Sequence, residues 1–116
     1  MKMCSGMEQS MRDMQKISKD WIEQKSFKCS LYADFCHLVE EVGELGEALV
    51  VKHGEREAGD GKKGFADHYD IAEELGDVLF STIVIANKCN VDLDMIFRKT
   101  IKRYDKKIEK REIGNH

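Results

Sequence analysis

A chain of 116 residues with 41% apolar and 35% charged side chains has the length of one domain and the balance of a globular protein with many solvated helix faces, not of a disordered one. Nineteen basic against 22 acidic residues leave a net charge of −3, so no overall field recommends a nucleic-acid partner, and no apolar run approaches the roughly 18 residues of a membrane span. Proline is absent, which together with abundant Glu, Lys, Leu, Met and Ala turns the expectation towards long helices and away from strands.

The stretch from Met1 to Lys16 lacks the apolar segment of a secretory signal, so a cytoplasmic protein is expected. Residues 7–25 place Met7, Met11, Met14, Ile17 and Trp21 at spacings of three and four, which predicts a first helix with one apolar stripe. Ser30 can cap a second helix running to about His53, on which Leu31, Phe35, Leu38, Val42, Leu45 and Leu49 share a face. From Gly54 to His68 the chain is polar and rich in glycine, as expected of a loop; if it closes over a substrate, shortening it should raise KM.

A third helix is predicted from about Asp70 to Cys89, followed by a turn at Asn90 and a cap at Asp92. The fourth then runs to about Arg111. Leu93, Phe97, Ile101, Tyr104 and Ile108 form its apolar stripe, while Lys99, Lys102, Arg103, Lys106, Lys107, Lys110 and Arg111 occupy other faces and its end, where cations suit the helix dipole. Cys4, Cys29, Cys36 and Cys89 show no CxxC pair and no framework spacing, so reduced thiols are expected in preference to a zinc site with His37, His53 or His68.

Two acidic words stand out. In the second helix Glu40, Glu41, Glu44 and Glu47 surround Val42, Gly43, Leu45 and Gly46. At about 100° per residue, Glu41 lies roughly 40° from Leu45 and so borders the core, whereas Glu40 and Glu47 project further out. Gly43 and Gly46 add no side chain that would hold another element or ligand away. In the third helix Glu74 and Asp77 precede a segment that is apolar nearly all round, so both are expected to be buried. A buried carboxylate takes up a proton unless an opposing charge holds it ionised, and no Lys or Arg occurs from Phe65 to Asn87. A divalent cation would supply that charge, and Mg²⁺ is bound through carboxylates while leaving positions for water and phosphates. The bland alternative for each word alone is a solvated acidic face.

At these residues the chain resembles the MazG-type nucleoside triphosphate pyrophosphohydrolases, the all-α relatives of dimeric dUTPases and dCTP pyrophosphatases. The pattern is EExxE followed by ExxD, present as Glu40, Glu41, Val42, Gly43, Glu44 and then Glu74, Leu75, Gly76, Asp77, with flanking words EEVGELGEAL and EELGDVLF. The resemblance runs from the first helix through Lys107. It implies a four-helix bundle completed by dimerisation, a homodimer or dimer of dimers, spanning residues 1–116 as a single domain. It implies too that Glu41, Glu44, Glu74 and Asp77 ligate Mg²⁺, or Mn²⁺ in its place, and that a (d)NTP is cleaved to the monophosphate and pyrophosphate by metal-activated water.

Glu40, one residue off the ligand line, is the candidate proton acceptor or ligand of a second metal. Arg103 and Lys107, four apart on the last helix, are candidate phosphate contacts, their alternative being a solvated face. Trp21 either stacks on a base or belongs to the core, and Asn87 either lines the pocket or ends its helix. Many relatives carry an Asn in the last helix where this chain has Thr100, Ile101, Lys102 and Arg103, which leaves base and sugar preference open. A rival reading is a non-enzymatic helical interaction module. A di-iron bundle would want Glu-x-x-His motifs from two helices, and the nearest approach is Asp34 with His37.

Overall fold

The computed structural model describes residues 10–52 and 71–114, which form four helices and no strand: α1 (Met11–Lys25), α2 (Leu31–Lys52), α3 (Ile71–Lys88) and α4 (Leu93–Gly114). The expected glycine-rich loop, with Met7, His53 and Asp70, lies outside the described residues. Each boundary has a local cause. The first helix begins after Ser10, whose hydroxyl accepts from the Asp13 N–H while the Asp13 carboxylate accepts from the Ser10 N–H. It ends where Ser26 turns left-handed at φ 58° and the N–H groups of Ser26 and Phe27 reach back to the carbonyls of Glu23 and Ile22.

Ser30 caps α2 as expected, its hydroxyl accepting from the Ala33 N–H at 3.1 Å. Asn90, at φ 56°, and the Val91 N–H bonded to the Ala86 carbonyl close α3. Asp92 then caps α4, its Oδ1 accepting from the N–H groups of Asp94 and Met95. The fourth helix continues three residues past Arg111, to Gly114.

The most extensive packing joins α2 to α3; α1 lies against α3, and α4 against α1. A polar bracket fixes the turn between α3 and α4 to the first helix. Gln15 donates to the Asn87 side chain at 2.9 Å and to the Val91 carbonyl at 2.8 Å, and it accepts from the Leu93 N–H. The Asn87 amide in turn donates to the Gln15 carbonyl at 3.0 Å. Arg12 pairs with Asp92 at 2.9 Å and with Asp94 at 3.5 Å, and its hydrogen bond holds the Asp92 carboxyl below its ordinary range.

The core is thin: Ala48, Ile83, Val84 and Ala86 are its buried apolar residues among those described. Several expected core stripes are open instead. Phe35, Val42 and Leu49 on α2 are exposed, as are Ile17 and Trp21 on α1 and Phe97, Ile101, Tyr104 and Ile108 on α4. The helical period is as read from the sequence, but four helices in which α4 meets mainly α1 offer no partner for those faces. Leu79 and Phe80 are likewise exposed, so α3 is enclosed over its second half and not all round. Gly43 and Gly46 face open space, and nothing within the described chain requires their lack of a side chain. None of the described helices is long and apolar enough to cross a membrane.

Candidate functional site

Glu41 and Glu44 stand three residues apart on α2, and Glu74 sits in the first turn of α3, where the helix dipole favours an anion. The packing of α2 on α3 brings one carboxylate oxygen from each of the three to within 4.8 Å of the others. Glu74 is only 4% exposed, Glu41 is half-buried and Glu44 is exposed. Asp77 is a correction to the sequence reading. It is exposed, not buried, because three residues beyond Glu74 its side chain has rotated about 60° around the helix. Its charge nevertheless reaches the group.

The electrostatics are those of like charges gathered without relief. Glu41 and Glu74 are both pushed above the ordinary carboxylate range, first by loss of solvent and then by the neighbouring charges of Glu44 and Asp77. The Oε2 atoms of Glu41 and Glu74 are sealed from water with no hydrogen-bond donor facing them. Among the described residues no Lys or Arg forms an ion pair with any of the four acids. Buried oxygens without donors, in a set made only of carboxylates, fit a hard divalent cation, and the residues present therefore suit a Mg²⁺-type ion.

Beside this group opens a cavity of about 580 Å³, formed by the end of α1, the α1–α2 connection and the facing sides of α2 and α3. Trp21, Phe27 and Phe80 supply its aromatic wall, with Trp21 edge-to-face on Phe27 at 5.6 Å and on Phe80 at 5.8 Å. Glu41 belongs to both the acid cluster and this cavity. Trp21 is thus a cavity wall, 44% exposed, and no core residue. Asp34, His37 and Lys88 also line the cavity, and the sequence reading assigned them no role there. One signal for Asp34 was available, since seven residues before Glu41 is two helical turns along the same face.

Other candidates stand apart. Glu40 is exposed and faces His37 at 3.8 Å, outside the three-acid group. Asn87 is engaged with Gln15 and does not line the cavity. Arg103 and Lys107 are exposed on α4, away from the cavity lining, and the Arg103 guanidinium lies over the Tyr104 ring. Cys29, Cys36 and Cys89 are free thiols; Cys4, His53 and His68 lie outside the described residues.

Carboxylates gathered from two packed helices beside a ligand-sized cavity are an arrangement used by all-α metal-binding proteins. Residues 34–113 match the sequence model of the MazG nucleotide pyrophosphohydrolase domain, and the chain belongs to that family of phosphoanhydride hydrolases. It is similar to the uncharacterized protein YpjD of Bacillus subtilis (strain 168), at 29% identity over 99 residues, covering 84% of this chain and 86% of that protein. Its fold is similar to a solved crystal structure described as the Bacillus-conserved MazG protein, a nucleotide pyrophosphohydrolase. The TM-score is 0.67 at 33% identity, with 86% of this chain and 93% of that chain covered.

Proposed function

We propose that this protein, as a single domain over residues 1–116, hydrolyses a (d)NTP to the (d)NMP and pyrophosphate with Mg²⁺ held by Glu41, Glu44, Glu74 and Asp77. The observation that carries the reading is the gathering of three carboxylates within 4.8 Å, one of them only 4% exposed, with no lysine or arginine among the described residues paired to them. A hard divalent ion there supplies Lewis acidity toward phosphate oxygens and water, which is the chemistry this class of reaction requires. The four acids would hold the ion, and Glu41 belongs both to the acid group and to the cavity lining. Glu40, exposed and one residue before the first ligand, accepts the proton of the attacking water. The Trp21 ring, beside Phe27 and Phe80, forms the surface on which the base stacks.

Arg103 and Lys107 are assigned to the phosphate tail. Standing off the cavity within one chain, they go with a second proposal, that the protein is at least a dimer in which a neighbouring α4 approaches the acids. The exposed apolar faces of α2 and α4 favour such burial. Light scattering after size exclusion should give twice the chain mass or more at micromolar concentration, and a monomer alone would refute it. Asn87 retains a place in the pocket only if substrate draws it from Gln15. The reading as a bare interaction module loses its basis with the family assignment. A cytoplasmic location suits the reaction and is part of the proposal.

The test is direct. Purified protein incubated with a panel of NTPs and dNTPs should release pyrophosphate in the presence of Mg²⁺ or Mn²⁺ and release none after chelation. Mg²⁺ at a hundred times its Kd should also add about 2.7 kcal/mol to the folded state. Orthophosphate as the product, or turnover indifferent to chelation, would remove the reading.

A further inference from the structure

The cavity beside the acids contains an ion pair that the function proposed above does not use. Asp34, in the first turn of α2 and 7% exposed, faces the ammonium of Lys88 in the last turn of α3. Lys88 Nζ also donates to the Cys29 carbonyl at 2.7 Å. The ammonium is thus held in place by an ion pair and by one hydrogen bond, and it keeps donor capacity for a ligand. The lysine side chain is 35% exposed, and both residues line the cavity with Trp21, Phe80 and Glu41.

The spacing matters. Seven residues separate Asp34 from Glu41 on one helix, or about 10 Å along its axis with only about 20° of rotation between them. That is comparable to the reach of a nucleotide from its α-phosphorus across the sugar to the outer edge of its base. A nucleotide with its phosphates at the acids and its base against Trp21 brings that outer edge to the Asp34–Lys88 pair.

We propose that Lys88 determines base specificity by donating a hydrogen bond to a keto oxygen on the outer edge of the base, O6 of guanine or O4 of uracil or thymine, with Asp34 as the residue that positions it. An ammonium has donors only. The exocyclic amino group of adenine or cytosine, brought to the same place, sets donor against donor and leaves a desolvated N–H unpaired. Asp34 offers little to repair the mismatch, because the residue is only 7% exposed and its Oδ2 is sealed from solvent beside Lys88. The inference rests on the pyrophosphohydrolase reading and adds to it a substrate class, nucleotides with keto bases.

The experiment compares kcat/KM with Mg²⁺ for dGTP, dUTP, dTTP, dATP, dCTP and methyl triphosphate, which has no base. Wild-type protein should favour the keto bases as a group by about tenfold or more, and Lys88→Met should bring the five nucleotides to within about threefold. Methyl triphosphate hydrolysis should be equal in both. The double variant Asp34→Leu/Lys88→Met, which leaves no charge unpaired, guards against a folding defect and should show the same loss of preference. Absence of a keto preference in the wild type, survival of the preference in both variants, or a parallel fall in methyl triphosphate hydrolysis would each overturn the assignment. Failure of the wild type to hydrolyse any triphosphate is a separate outcome, which overturns the pyrophosphohydrolase reading and this inference with it.

Discussion

Two carboxylates on the same pair of helices are nearly equally buried and oppositely treated. Asp34 is 7% exposed and faces Lys88; Glu74 is 4% exposed and faces other acids. Both are costly to remove from water, and an internal cation relieves the cost at one end of the α2–α3 interface only. The chain can evidently place a lysine opposite a buried acid on this interface. Where it instead gathers Glu41, Glu44 and Glu74, with Asp77 at the rim, no lysine or arginine among the described residues pairs with them. Under the proposed function, the contrast separates a carboxylate that positions a side chain from carboxylates that hold an ion.

The contrast breaks most visibly when a ligand acid is neutralised. Glu44→Gln or Asp77→Asn should lower kcat by about a hundredfold or more, because each removes charge and a donor from the cation. The same variants should fold, and without metal they should be as stable as the wild type or slightly more so, since a like charge has been relieved. Activity assayed with Mg²⁺ beside thermal melts in chelator checks both halves. Full turnover in either variant, or a large loss of stability in chelator, would mean that the acids serve the fold and not an ion.

A smaller effect of opposite sign is expected at the other end. Lys88→Met alone leaves Asp34 buried without its partner and should cost about 2 kcal/mol of stability, below the value for a fully buried pair because a third of the lysine side chain meets solvent. Adding Asp34→Leu should recover most of that loss. Denaturant melts of the two variants decide it. Equal losses in both would show the pair to matter through packing and not through charge.

How much of this was legible beforehand follows from what each signal measures. Helix caps are local chemistry, so Ser30 and Asp92 were readable from neighbouring residues, and so was a turn at Asn90, though not its left-handed backbone. The spacing of Glu41, Glu44 and Glu74 carries over to three dimensions because it depends only on helical rotation and on α2 packing against α3. Burial is another matter. Periodicity says which residues share a face and is silent on what covers it, so Phe97, Ile101 and Tyr104 read as core and stand in solvent. Asp77 failed for the same reason, being on the right helix but about 60° off the interface. Lys88 was not recognisable as a partner of Asp34, because 54 residues of chain separate them and no local pattern links the two.

The finest test of the contrast is its dependence on pH, where the two ends should part company. Glu41 and Glu74 have raised pKa values in the folded protein, through burial and the charges around them. In metal-free protein the folded state therefore holds more protons than the unfolded chain between the ordinary carboxylate range and the raised values, so stability falls as pH rises through that window. The contribution is fully present below the unfolded value and lost above the folded one. With saturating Mg²⁺ the fall should vanish in this window, because the ion keeps the acids ionised in the folded state as they already are in the unfolded chain. Melting temperature measured against pH with and without Mg²⁺ should give two curves that diverge as pH rises through this window. Glu74→Gln should flatten the metal-free slope and reduce the divergence, whereas Asp34→Leu/Lys88→Met, which changes the compensated end alone, should leave both curves with the wild-type shape.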